Sequence, residues 1–167
     1  MTDVGLTHVG LLTSNPDASV AFYAKYAAMR VVHRRVDAES GPTVLWLGDG
    51  TRPFVIVLIE SAQVTAPLLP ITHLGVGCRS RDEVDRLCAE ARSDGCLQSG
   101  PTDSGYPIGY WAFLADPDGN TLELSYGQEV ATTVEQTLRP ANPEPASSLL
   151  GENRPRSVRK RHKDSEQ

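Results

Sequence analysis

Two histidines and one glutamate have the residue types and the positions that a metal site requires. His8 lies in the stretch Thr-His-Val-Gly and His73 in the stretch Thr-His-Leu-Gly, so both occupy the same place in an internal repeat. Glu123 lies between Leu122 and Leu124, and strand alternation directs its carboxylate to the face opposite these leucines. Two neutral imidazoles and one carboxylate form a three-ligand site for a divalent cation, with positions left open for water or substrate.

The repeat also contains the elements that must position these side chains. Each copy begins with the short strand that carries the histidine and continues into an amphipathic helix. In the first helix, Asn15 is the expected cap and Pro16 occupies the first turn. In the second helix, Ser80 and Glu83 form a capping box. Three strand-like runs follow each helix, at residues 30–36, 42–48 and 54–60 in the first copy and at 97–102, 110–115 and 121–126 in the second.

The sequence therefore predicts an α+β fold in a single domain, residues 1–126. Two βαβββ modules, residues 5–60 and 71–126, are expected to form a curved mixed sheet around a central cleft, with the helices outside. If the modules pack about a pseudo-twofold axis, His8 and His73 project toward one central point. Glu123, on the last strand of the second module, can reach the same point.

Residues 127–167 differ in composition from the two modules. This segment is rich in proline, serine and charge, and we expect an extended or disordered C-terminal tail with a short ordered stretch at residues 131–138. Its basic run, residues 154–163, is interpreted as a solvated terminus.

Composition excludes several classes of function. The net charge of −5 and the confinement of the basic run to the tail argue against a nucleic-acid partner. No apolar run approaches the roughly 18 residues of a membrane span, and the N-terminus shows no secretory pattern. The three cysteines form no Cys-x-x-Cys pair, which fits a cytoplasmic protein.

The paired modules resemble the vicinal oxygen chelate superfamily, which includes glyoxalases, extradiol dioxygenases, fosfomycin-modifying enzymes and bleomycin-binding proteins. The resemblance covers residues 5 to about 127. It rests on the two Thr-His-x-Gly stretches, on the pair Phe22-Tyr23, and on the segment Phe-Leu-Ala-Asp-Pro-Asp-Gly-Asn-Thr-Leu-Glu-Leu at residues 113–124. It implies metal ligands at the positions of His8, His73 and Glu123, and it implies a homodimer.

The sequence also departs from particular members of that superfamily. A glyoxalase I has a further ligand on the fourth strand of the first module, where this chain has Val57. Glu60, at the end of that strand, is either a fourth ligand or base, or an ordinary surface carboxylate. Extradiol enzymes commonly have a tyrosine on the strand before the metal-binding glutamate, and Tyr110 is either its counterpart or a residue of the cleft lining or core.

Aromatic residues are available to line a cleft. We expect a subset of these side chains to contact a flat substrate, because alternation directs only about half of such a set inward. The candidates for substrate binding are Trp46, Phe54, Tyr106 and Trp111. The loop at residues 99–110 is either a flap over the cleft or an ordinary connection.

Two classes of function remain open from the sequence. The first is a metal-dependent enzyme that chelates an oxygen-rich small molecule, with an aromatic diol as one possible substrate. A two-histidine, one-carboxylate set favours Fe(II), with Mn(II), Zn(II) or Ni(II) as alternatives; the chemistry is that of a dioxygenase first, and of a lyase or isomerase second. The alternative is a metal-free, ligand-sequestering dimer of the drug-binding type.

Overall fold

The two predicted βαβββ modules are present in a computed structural model that describes residues 5–36, 41–69 and 71–138. The first module consists of β1 (His8–Thr13), α1 (Pro16–Ala27), β2 (Arg30–Val36), β3 (Thr43–Gly48) and β4 (Val55–Glu60). The second consists of β5 (His73–Gly77), α2 (Arg81–Asp94), β6 (Leu97–Asp103), β7 (Tyr110–Ala115) and β8 (Thr121–Tyr126), and α3 (Val130–Leu138) follows. The six strands after the helices start and end within one residue of their predicted bounds.

Hydrogen bonding divides the strands into two four-stranded mixed sheets. Their orders are β1-β4-β3-β2 and β5-β8-β7-β6. In each sheet the strand that carries a histidine pairs in parallel with the last strand of its module, and the other pairs are antiparallel. The α+β class is confirmed, and the sheets do not close into a barrel within the described residues.

Both main helices begin where the sequence indicated. The Asn15 side chain accepts a hydrogen bond from the Ala18 amide at 3.1 Å, and the Ser80 hydroxyl accepts one from the Glu83 amide at 3.1 Å. These contacts satisfy amides of the first turn that have no partner within the helix. The Glu83 carboxylate reaches back to the Arg79 amide at 2.6 Å, which completes the predicted box one residue earlier than usual.

Strand alternation gives each sheet one covered face and one open face. Helices α1 and α2 share a hydrophobic core with the covered faces of both sheets, where Leu45, Leu114 and Leu122 have no exposed surface. The open face of the first sheet contains His8, Leu12, Trp46, Val55 and Val57; we call it the first open face. Leu12 and Trp46 are each 42% exposed, so apolar surface remains uncovered there.

A network of polar contacts fixes the two modules to each other. The turn at residues 116–120 belongs to the second module, and its Asp118 carboxylate accepts hydrogen bonds from the Ser14 amide at 2.9 Å and from the Ser14 hydroxyl at 2.5 Å. The buried Tyr23 hydroxyl donates to Asp116 at 3.0 Å. The Asp94 carboxylate, at the end of α2, accepts a hydrogen bond from the Tyr26 hydroxyl at 2.6 Å. These contacts hold α1 against the second module.

The chain after β8 forms helix α3, which contains the short ordered stretch that the sequence indicated. The remaining tail, residues 139–167, lies outside the described residues, and so does its basic run. Across the described ranges, the helices are too short or too polar to cross a membrane.

We predict that Asp118→Ala lowers the free energy of unfolding by about 2 kcal/mol at neutral pH, because hydrogen bonds to a charged, partly buried group are lost. Burial opposes ionisation of Asp118, but its hydrogen bonds with Ser14, Thr13 and Ser19 prevail and lower the pKa of this carboxyl. The contribution is therefore complete above the ordinary aspartate pKa and disappears as the pH falls through the lowered value.

Urea unfolding at several pH values measures this effect. Asp17→Ala is the matched control, because the Asp17 side chain is 90% exposed and its ion pair with Arg34 lies at the surface. Equal destabilisation by both variants at neutral pH would contradict the role assigned to Asp118.

Candidate metal centre

His73 and Glu123 contact each other on the open face of the second sheet. The Nε2 atom of His73 lies 3.1 Å from the Oε2 atom of Glu123. Glu123 is 6% exposed, and its neighbour across β5 is Gly75, two residues beyond His73 and on the same face. The structure therefore brings together two of the three predicted ligands. We call this face the second open face; it contains His73, Trp111, Phe113 and Glu123.

The second ring nitrogen of His73 determines which atom is available to a ligand. Its Nδ1 lies 3.2 Å from the carbonyl oxygen of Ile71, and a carbonyl only accepts, so Nδ1 carries the proton of this hydrogen bond. In the neutral ring, Nε2 then presents a lone pair to a carboxylate oxygen. That contact is favourable when a proton or a metal ion lies between the two atoms. Hydrogen bonding of the remote nitrogen to a carbonyl is also the usual arrangement of a metal-binding histidine.

His8 lies on the other sheet. It is the first residue of β1, pairs with Val55, and is exposed on the first open face, where its Nδ1 atom lies 3.0 Å from the Thr7 hydroxyl. Within residues 5–36, 41–69 and 71–138, no three histidine, cysteine or carboxylate side chains form a group that could hold an ion. The expectation that one copy gathers all three ligands at one point is therefore not met.

An aromatic surface lies beside the His73–Glu123 pair. Phe113 is the direct neighbour of Glu123 across β7, and its ring centroid lies 5.1 Å from that of His73. Trp111 continues the row, with its ring centroid 4.7 Å from Phe113. The Trp111 indole donates to the Ser104 hydroxyl at 2.9 Å, so its polar atom is already occupied. Trp111 was predicted to bind substrate, and Phe113 could have been added because residues two apart on a strand share a face.

Tyr110 belongs to the opposite side of the same sheet. Its hydroxyl donates to Asp85 of α2 at 2.6 Å, and its ring packs with Arg81, whose guanidinium carbon lies 4.6 Å from the ring centroid. The hydrogen bond to Asp85 raises the pKa of this phenol. The structure therefore does not bring the predicted catalytic tyrosine to Glu123.

Glu60 lies on the first sheet and not on the sheet of the His73–Glu123 pair. It lies at the end of β4 opposite Thr13, five residues along the strand from the row that contains His8, which corresponds to about 16 Å. Its carboxylate accepts from the Thr43 amide at 2.8 Å, and this hydrogen bond lowers its pKa. The contact joins β3 to β4 and gives Glu60 a structural partner.

The other predicted binding residues lie in three different places. Trp46 lines a cavity of about 490 Å³ beside His8 on the first open face. Phe54 lines a separate cavity of about 430 Å³ that reaches His73 from between the modules. Tyr106 is 71% exposed in the β6–β7 loop. The aromatic residues predicted to bind substrate therefore do not share one cleft.

Gln128 is a site residue that the sequence did not indicate. Its side-chain amide donates to the Oε1 atom of Glu123 at 3.3 Å. The residue follows the last strand of the second module, in the segment that was expected to be extended or disordered. No motif marks it, because its contact depends on how the chain turns after β8.

Comparisons with known proteins agree with this architecture. The family model described as Glyoxalase/Bleomycin resistance protein/Dioxygenase superfamily matches residues 5–124. Uncharacterized protein PA2024 of Pseudomonas aeruginosa is 37% identical over 126 residues, which cover 74% of this chain and 89% of that protein.

Two solved structures are similar in fold. One is a mutant of the fosfomycin resistance protein FosX from Listeria monocytogenes, complexed with Mn(II) and 1S,2S-dihydroxypropylphosphonic acid. It has a TM-score of 0.62 and 15% identity, and the match covers 80% of this chain and 99% of FosX. The other is the trypanothione-dependent glyoxalase I from Leishmania major, with a TM-score of 0.60, 23% identity, and coverage of 81% and 95%.

Proposed function

This chain belongs to the glyoxalase/bleomycin resistance protein/dioxygenase superfamily, and we propose that it is a metal-dependent enzyme acting on an oxygen-rich small molecule. The observation that carries the proposal is the His73–Glu123 contact. A buried carboxylate faces an imidazole nitrogen whose remote partner is a carbonyl, and a divalent cation shared by both groups satisfies this arrangement. The Mn(II) bound by FosX is consistent with such a site.

We infer that a homodimer completes the metal centre. One copy supplies His73 and Glu123, and a second copy supplies His8, its repeat-equivalent histidine. Two observations support this inference: the first open face leaves Leu12 and Trp46 uncovered beside His8, and the contacts of Asp116 and Asp118 fasten the modules so that this face is free to meet another copy. The dimer then encloses substrate between the two open faces.

The residues on the second open face have distinct roles in this proposal. His73 and Glu123 hold the ion, which supplies Lewis acidity toward a chelating oxygen pair when bound. Fe(II) is the first candidate, with Mn(II), Zn(II) and Ni(II) as alternatives. Phe113 and Trp111 offer a flat apolar surface, which favours a substrate with a planar part, such as an aromatic diol, for stacking. Ring-cleaving dioxygenase chemistry is the first candidate reaction, and lyase or isomerase chemistry is the second.

A metal-free ligand-binding dimer is the second candidate function. The observation in its favour is that a protonated His73 would also pair with the Glu123 carboxylate, without any metal ion. The cavity beside Trp46 would then hold an apolar ligand. Metal content separates the two functions.

We predict that protein purified without chelators contains nearly one equivalent of divalent metal per chain. His73→Ala and Glu123→Ala each lower the affinity for Mn(II) by more than about 100-fold. Removing a residue that hydrogen-bonds to a metal ligand typically lowers metal affinity about 10- to 100-fold, and removing the ligand itself lowers it further. Elemental analysis and calorimetric titration measure both quantities. Glu90→Ala is the control, because Glu90 lies on α2, where its carboxylate accepts from Arg86 at 2.6 Å. A metal-free protein whose variants bind an apolar ligand normally would favour the sequestering dimer.

The shared site makes a second prediction, for mixed dimers. His8→Ala and His73→Ala homodimers each lack complete sites, but a heterodimer of the two variants contains one intact site, built from His73 and Glu123 of one chain and His8 of the other. Co-expression with two affinity tags therefore restores high-affinity Mn(II) binding to about half an equivalent per chain. If all three ligands came from one chain, the purified heterodimer would bind no ion with high affinity.

A further inference from the structure

Both oxygens of the Glu123 carboxylate have separate partners. Oε2 faces His73 Nε2 at 3.1 Å, and Oε1 accepts a hydrogen bond from Gln128 Nε2 at 3.3 Å. Gln128 lies beyond residues 5–124, the part of the chain that matches the family model. The hydrogen-bond donor to Oε1 is thus supplied by a segment outside the two modules.

The backbone around Gln128 is packed against the loop between β6 and β7. Gly127 has φ +73°, which turns the chain after β8, and the Glu129 amide donates to the Pro107 carbonyl at 3.0 Å. Gly109, in the same loop, lies so close to this segment that a Cβ there would be 2.4 Å from the Tyr126 carbonyl oxygen and 2.9 Å from the backbone nitrogen of Gln128. The loop therefore holds the segment that carries Gln128.

The same loop also contacts the aromatic surface. Ser104 accepts the indole hydrogen bond of Trp111 at 2.9 Å, and the Ser104 amide donates to the Gly109 carbonyl at 2.9 Å. One loop thus contacts Trp111 through Ser104, and Gln128 through Gly109. A shift of this loop would change the surroundings of Trp111 and Glu123 together.

We propose that Gln128 is a positioning residue for Glu123, held in place by the loop at residues 104–109. Its amide fixes Oε1, so that Oε2 alone is directed to the ion shared with His73. Without this hydrogen bond, the carboxylate is free to rotate and must be ordered when the ion binds. This inference rests on the proposed metal site and adds a coupling between that site and the loop that borders the aromatic surface.

Replacement of Gln128 tests the hydrogen bond directly. Gln128→Met keeps the length of the side chain and removes the donor, and the expected result is a loss of Mn(II) affinity of about 10-fold, the lower end of the range for partners of metal ligands. Gln98→Met is the matched control: Gln98 is exposed on the same sheet, and its side chain accepts from Thr121. Melting temperatures in the presence of EDTA give the stability cost of the lost hydrogen bond itself. The further rise on addition of Mn(II) is expected to be smaller for Gln128→Met than for the wild type and Gln98→Met, which a purely structural role would not produce.

The outcomes of this titration distinguish the two proposals. Wild-type affinity retained within threefold in Gln128→Met overturns the role of Gln128 and leaves the metal site standing. Failure of the wild-type protein to bind Mn(II), or any other divalent ion tested, overturns the metal site and this inference with it. A loss of threefold or more in Gln128→Met but not in Gln98→Met supports the inference.

A second pair of variants tests the loop. Gly109→Ala introduces the clash with the backbone of residues 126–128, whereas Gly105→Ala in the same loop, also at positive φ, has no atom within 4 Å of the added Cβ. Both variants carry comparable backbone strain, so the clash is the difference between them. Gly109→Ala is expected to weaken Mn(II) binding about as much as Gln128→Met, and Gly105→Ala to leave it unchanged. Equal affinities in the two glycine variants would overturn the coupling to the loop.

Discussion

The period-two alternation of the strands is the constraint on which the molecule depends. Because neighbouring residues point to opposite faces, one face of each sheet packs in the core shared with α1 and α2, and the other face carries the histidines and Glu123. Leu122 and Leu124 are completely buried in that core, while Glu123 between them faces His73. A shift of one residue in the register of β8 would move the carboxylate into the core and both leucines to the face that His73 shares with Glu123.

The polar contacts between the modules determine where the two open faces lie relative to the shared core. Asp116 and Asp118 bind α1 and the turn before it through Tyr23 and Ser14, so that the covered faces of both sheets meet in one core. Within one copy, His8 and His73 consequently lie on separate open faces. The repeat gives the two histidines equivalent positions, but the packing of the modules places them on different sheets of one copy.

The sequence was sufficient to predict the modules, the helix caps and the strand bounds, because these depend on local patterns such as Asn15 before Pro16 and on the repeat itself. Of the three ligands that the sequence predicted to converge, His73 and Glu123 meet, because their strands β5 and β8 pair within one module. It did not reveal that His8 is separated from them, because the order of packing between modules has no local signature. The two interpretations of Tyr110 stayed open for the same reason, since its neighbours Asp85 and Arg81 come from α2. These contacts agree with a core residue.

The burial of Glu123 is not explained by stability alone. A carboxylate that is 6% exposed has lost most of its hydration, and a buried ion pair often contributes no more stability than apolar residues of the same volume would. Yet the chain surrounds this group with His73, Gln128 and Phe113, and it directs the imidazole through the carbonyl of Ile71. A core position would be more stable with leucine. The proposed metal centre would account for this arrangement, because a position that presents one oxygen to a cation requires the carboxylate and its partners.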